Sequence, residues 1–148
     1  MAEQDFTRLC REYVEVFNKG DWQRYKEMLT PDTVYEEFGT QRRIQGADQI
    51  VDADRAWKEA FPDAEGKISN ICSSGSMGCI ELTWEGTHRG TLMGPEGNIP
   101  ATGKRASVRA ALFLTFEGDK VKECRHYFDL MTLLQQIGVG TPVGARSR

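Results

Sequence analysis

The chain reads as an α+β domain in which helices cover the concave face of a strongly curved antiparallel or mixed sheet, leaving a cone with one open mouth. Three observations predict this. Apolar residues follow a helical period up to Phe61, they alternate strand-fashion from Lys67 onward, and no repeat or low-complexity linker divides the 148 residues. That length suits one core. A single domain over residues 1–148 is expected, with 139–148 as a frayed tail.

The first element is an amphipathic helix: Phe6, Leu9, Cys10, Tyr13, Val14 and Phe17 form its stripe and Gly20 closes it. "DWQRYKEML" gives a short second helix, capped by Asp21 and ended by Pro31. "TVYEEF" reads as a strand closed by Gly39. "ADQIVDADRAWKEAF" is a third helix, with Ile50, Ala53, Trp57 and Phe61 on one side. Then come "KISNICSS" and "GCIELTWEGTHRG", joined by a "GSMG" turn, and "KRASVRAALFLTF" and "KVKECRHYFD", joined by "EGD". Between these hairpins, "MGPEGNIPATG" lacks any phosphate-loop spacing and suits a lid. "LMTLLQQIG" makes a closing helix.

Composition narrows the function classes. The net charge of −3 supplies no footprint for nucleic acid or an anionic membrane. No stretch approaches the ~20 apolar residues of a membrane span, and the N-terminus does not read as a signal peptide. A cytoplasmic protein is expected, with Cys10, Cys72, Cys79 and Cys124 as reduced, buried thiols. The two histidines, His88 and His126, assemble with no cysteine or carboxylate set at ligand spacing, so neither a metal nor a cofactor is expected.

"GTHRGTLMGPEGNIPATGKR" followed by "FEGDKVKECRHYFDLMTLLQQIG", together with the opening "YVEVFNKGDWQRYKEMLTPDTVYEE", resembles the SnoaL-like polyketide (ester) cyclases of the nuclear-transport-factor-2-like superfamily. The resemblance covers nearly the whole chain. It implies a cystatin-like α+β barrel and a homodimer. It also implies that the carboxylate ending the last strand, here Asp129, is the general acid/base of an intramolecular aldol ring closure. Limonene-epoxide-hydrolase-like relatives pair that aspartate with an Arg-x-Asp on the preceding strand. Here Arg109-Ala110-Ala111 keeps the arginine and lacks the acid.

Strand parity then assigns faces. With Asp129 toward the pocket, Arg125 and Tyr127 follow it, as do Arg109 and Phe113 on the neighbouring strand. Val108, Ala110, Leu112 and Leu114 then cover an outer face apolar enough to need a homodimer partner. Asp129 equally suits an N-cap for "LMTLLQQ". In the first strand, Tyr35 and Glu37 stand where the resemblance implies a Tyr-x-Asn pair. Glu37 reads either as half of an acid/base pair with Asp129 or as the neutraliser of an arginine. His88 shares a face with Trp84 and Leu82, bordering the cavity either as a core histidine or as a group polarising a substrate carbonyl. Trp57, Phe61, Trp84, Phe113 and Tyr127 would make the wall aromatic.

The expected activity is therefore acid/base chemistry on a small apolar or aromatic substrate. Asp129, Arg109, Arg125 and His88 are the catalytic residues, and Tyr35, Glu37 and the aromatic wall bind substrate. The alternatives are an epoxide hydrolase and a non-catalytic dimeric module holding an apolar ligand.

Overall fold

The structure, a computed structural model, describes residues 5–94 and 97–139. Its elements run α1 (Thr7–Lys19), α2 (Trp22–Glu27), β1 (Leu29–Glu37), β2 (Arg42–Gln45), α3 (Ala47–Ala60), β3 (Glu65–Ser74), β4 (Met77–Thr87), β5 (Leu92–Gly94), β6 (Gly97–Ile99), β7 (Arg105–Glu117), β8 (Lys120–Phe128) and α4 (Leu130–Gln136). Six strands form one sheet in the order β2-β1-β8-β7-β4-β3, with β5 and β6 as a separate hairpin. Only the β1–β8 pairing is parallel, so the sheet is mixed. This is the expected nuclear-transport-factor-2-like α+β fold.

Local chemistry sets the helix ends. Gly20 adopts φ 70°, a left-handed turn that costs glycine little, and releases the chain from α1. The Asp21 carboxylate accepts from the Arg24 N–H and starts α2. Asp129 does the same for α4, accepting from the Thr132 N–H at 3.1 Å and from its hydroxyl at 2.7 Å.

Three elements differ from expectation. Pro31 does not end α2: the helix stops at Glu27, and the Val121 N–H donates to the Met28 carbonyl at 2.7 Å, drawing this segment into the sheet. Strand β2 has Ile44 as its one apolar residue, too weak a pattern to register in sequence, and pairs along the edge of β1. The segment expected as a lid contains β5 and β6. Leu92 there is buried with Phe61, Ala106 and Val108, while Pro95 and Glu96 lie outside the described residues. So does the expected tail beyond Val139.

Strand parity on β7 and β8 is the reverse of the expectation. Val108, Ala110, Leu112 and Leu114 are buried, as are Cys124 and His126, whereas Arg109 and Tyr127 are exposed. The cross-strand pairs agree: Leu112 faces His126, and Phe113 faces Arg125 on the opposite side of the sheet. Strand β8 ends at Phe128, and Asp129 has already left the ladder to cap α4. Anchoring the strand on Asp129 therefore put every side chain on the wrong face, as a one-residue slip must.

The main core lies between the three N-terminal helices and the inner face of β1, β8, β7 and β4, where Val14, Tyr25, Ile50, Leu82 and Leu114 meet. Among the described residues no helix is long and apolar enough to cross a membrane. Of the four free thiols, Cys10 and Cys124 are buried and raised by desolvation, while Cys79 is half-buried and Cys72 exposed, both against expectation.

Candidate active site

The inner face of the sheet and helices α1–α3 enclose a cavity of about 100 Å³. Its wall is apolar and aromatic: Phe17, Trp57, Phe61, Trp84 and Phe128 line it together with Val14, Val108 and Leu112. Two polar lines cross this wall.

The first starts at Glu37, on the inward parity of β1. Its Oε2 accepts from Tyr35 Oη at 2.7 Å and Trp57 Nε1 at 3.0 Å. Its Oε1 accepts from Thr40 Oγ1 at 2.6 Å and Arg42 Nη2 at 3.1 Å. Burial alone would push this carboxyl up. The pull of His126, in the acid range where its ring is charged, and of Arg42, with the hydrogen bonds from Thr40 and Tyr35, outweighs it, and Glu37 sits below the usual carboxylate value.

Beyond Tyr35 stands His126. Trp84 Nε1, which can only donate, lies 3.1 Å from His126 Nε2. Nε2 is therefore the acceptor, and Nδ1 carries the proton of the neutral ring. Nδ1–H donates to Tyr35 Oη across 2.8 Å, and Tyr35 passes its own hydrogen to Glu37. Burial drives His126 down to about 4, against the pull of Glu37, so the ring is neutral at pH 7.

The second line is shorter. Tyr25 Oη donates to Asp54 Oδ2 at 2.5 Å, and Tyr13 Oη lies 3.1 Å from Tyr25 Oη. With the Tyr25 hydrogen committed to Asp54, Tyr13 donates to Tyr25. Burial raises all three phenols well above their ordinary range, so they remain donors. Asp54 lines the cavity. Desolvation lifts its carboxyl to about 7; the Tyr25 hydrogen bond holds it down, Glu37 pushes it further up and Arg42 pulls it back. A carboxyl near neutrality inside an apolar cavity can both take and return a proton at physiological pH.

Comparison with known proteins places this geometry in a family. The model of the SnoaL-like polyketide cyclases matches residues 7–137. The chain belongs to the SnoaL-like polyketide cyclase family. No curated protein matches it. Among solved structures, AclR of Streptomyces galilaeus, described as a hydroxylase candidate, is 25% identical over 88% of this chain and 93% of its own, with a TM-score of 0.75. IdmH of Streptomyces antibioticus, described as a polyketide cyclase candidate, is 22% identical over 92% and 100%, with a TM-score of 0.77. TsrD of Streptomyces laurentii is 22% identical over 93% and 100%, with a TM-score of 0.79.

Within this SnoaL-like chain, the residues singled out in the sequence divide. Tyr35, Trp57, Phe61 and Trp84 line the cavity, and Glu37 stands directly behind Tyr35 and Trp57. The remaining six do not line it. Asp129 is exposed, and its hydrogen bonds to Thr132 hold its carboxyl low. Arg109 is exposed on the outer face. Arg125 stays on that face too, 3.3 Å from Glu123 and 5.6 Å over the Phe113 ring. Phe113 and Tyr127 pack edge to face there. His88 is fully buried behind the wall, its Nδ1 accepting from the Thr102 N–H and its ring stacked on Phe61. Among the described residues no three His, Cys, Asp or Glu groups stand close enough to hold a metal ion.

Asp54 and His126 are the site residues that sequence reasoning missed. The signal for Asp54 was present: it lies four residues after Ile50 and three before Trp57, inside the apolar stripe of α3. His126 follows from the parity of β8 once the apolar residues of β7 are taken as inward.

Proposed function

We propose that this SnoaL-like chain is a cofactor-independent acid/base enzyme acting on a small, largely apolar carbonyl compound, most like an intramolecular aldol cyclase, with Asp54 as the proton-transfer group. One observation carries this reading: the Asp54 carboxyl faces an apolar cavity with a neutral phenol as its hydrogen-bond donor and no ion pair among the described residues. Ionised, it removes an α-proton and becomes the acid. The enolate carbon attacks the second carbonyl of the same molecule, and the new alkoxide takes the proton back from Asp54. Tyr13 and Trp84 line the same wall; their hydrogens go to Tyr25 and His126 in the empty cavity, and either would serve the oxyanion only by exchanging that bond for one to the substrate.

Glu37 takes the second of its two expected roles, neutralising Arg42, because four donors already occupy its oxygens. Asp129 passes out of the machinery. A dimer through the outer face of the sheet remains part of the proposal on different residues: Phe38 and Tyr127 stack at 4.4 Å there and both are exposed. Sedimentation of wild type against Tyr127→Glu tests it, with a shift to monomer expected.

The decisive experiment is turnover of aromatic polyketide esters and simpler apolar diketones by wild type, Asp54→Asn and Asp129→Asn. Loss in the first variant and retention in the second is the expected pattern; the reverse pattern overturns the assignment. Binding of such compounds without turnover by any form favours the non-catalytic module.

A further inference from the structure

The cavity wall combines aromatic rings with a carboxyl, Asp54, that has no ion-pair partner among the described residues. Eight of its lining residues are Phe, Tyr or Trp, and none is Lys or Arg. Its ionisable carboxyl groups are Asp54 and Glu85. Glu85 is matched by Lys67 at 3.0 Å and Arg105 at 3.3 Å. Asp54 has no such partner among the described residues: Arg42 pairs with Glu37, and Lys58 donates to the carbonyls of Asn18 and Ala64 at 3.0 and 2.6 Å with its ammonium 4.8 Å from the centre of the Phe17 ring. His126 is neutral and its Nε2 is covered by Trp84. An anionic ligand would meet carboxylates and ring faces here, and both repel it.

Ring faces attract cations, most strongly where water is excluded. A compact alkylammonium group has no N–H network to satisfy, so walls without free acceptors suit it.

We propose that this cavity binds a small alkylammonium group, held by the faces of Trp57, Trp84 and the neighbouring tyrosines with Asp54 as its counter-ion. The ligand is then an amine-bearing compound whose charged head occupies the cavity. This goes beyond the proton-transfer reading and rests on the walls and their charge, not on turnover. The two are compatible: a cation beside Asp54 holds it ionised, and an ammonium substituent acidifies neighbouring C–H bonds.

The test uses choline and its uncharged isostere 3,3-dimethylbutan-1-ol, titrated against the intact chain by calorimetry and by the fluorescence of Trp57 and Trp84. Choline is expected to bind about tenfold or more tightly than the alcohol. In Asp54→Asn that ratio is expected to fall toward one while the alcohol still binds, which also reports an intact cavity. Equal or tighter binding of the alcohol by wild type overturns the proposal. So does a failure of both to bind, or a choline preference that survives in Asp54→Asn. Loss of turnover in Asp54→Asn alongside any of these would leave the acid/base reading standing.

Discussion

Glu37 and Asp54 end within one small region of the interior, yet the chain equips them oppositely. Glu37 receives four donors, one of them a guanidinium, and is driven below the usual carboxylate value. Asp54 receives one phenol and is lifted to about 7. The difference teaches that burial does not decide the charge of a carboxyl; the count and charge of its donors do. A saturated carboxylate is architecture, fixing Tyr35, Trp57 and, through Tyr35, the tautomer of His126. An under-served one keeps a proton that can be traded.

The contrast can be broken most forcefully at Asp54. Asp54→Asn should lower kcat/KM by about 10²–10⁴, the usual contribution of a general acid/base, measured on whichever ester or diketone the wild type turns over. Comparable activity in the variant would put both carboxylates in the architectural class.

Next in size is the opposite response of stability. Glu37→Gln should cost about 2–4 kcal/mol in urea unfolding, because its amide presents hydrogens where donors already point and leaves Arg42 without its counter-charge. Asp54→Asn should instead stabilise the fold at pH 8, since it removes a carboxylate that is costly to ionise there.

The pH dependence of unfolding sharpens the same point. With its folded value raised from 3.8 to about 7, Asp54 holds a proton in the native state that the unfolded chain has released. Stability from this group therefore falls as pH rises from about 4 to 7, by about 1.4 kcal/mol per unit at most. His126 does the reverse. With its value lowered from 6.5 to about 4, it makes stability rise with pH across that window, as the unfolded imidazole gives up its proton. The two nearly cancel in the wild type. Removing Asp54 should expose the histidine slope, so that Asp54→Asn gains stability from pH 4 to 6.5 while the wild type changes little.

The smallest effect belongs to Asp129. Asp129→Ala should cost about 1 kcal/mol, the worth of an N-cap, with turnover unchanged.

Much of the fold was legible because periodicity reports burial directly. The stripe of α1 and the turn at "GSMG" appear in the structure as read, and β7 alternates as read but with its faces exchanged. Strand β2 was not legible, because an edge strand held mainly by backbone bonds to β1 needs little apolar pattern. The site was half legible. Trp57 and Trp84 were found from their stripe and strand, and Tyr35 and Glu37 from the Tyr-x-Asn pair that the resemblance implies. Asp129 was misplaced because a carboxylate at a strand end is also an ideal cap, and that one residue carried Arg125, Tyr127, Arg109 and Phe113 to the wrong face with it. The run Val108, Ala110, Leu112, Leu114 already argued for the other parity. Asp54 was passed over because a charged residue on a helix is ordinarily taken for its solvent face, although its spacing from Ile50 and Trp57 placed it inward.

The position of β8 in the sheet bears on how this protein comes into being. Among the described residues the last strand in chain order is not added at an edge but inserted between β1 and β7. Without residues 120–128 the sheet has no seam between β2–β1, which carries the Tyr35–Glu37 pair, and β7–β4–β3, which carries Trp84. His126 arrives on the strand that joins them. Pairing the first strand with the last makes the sequence separation of native contacts large, a topology that folds slowly. It also means that a chain truncated before Lys120 loses the seam of its sheet and the assembled cavity in the same stroke.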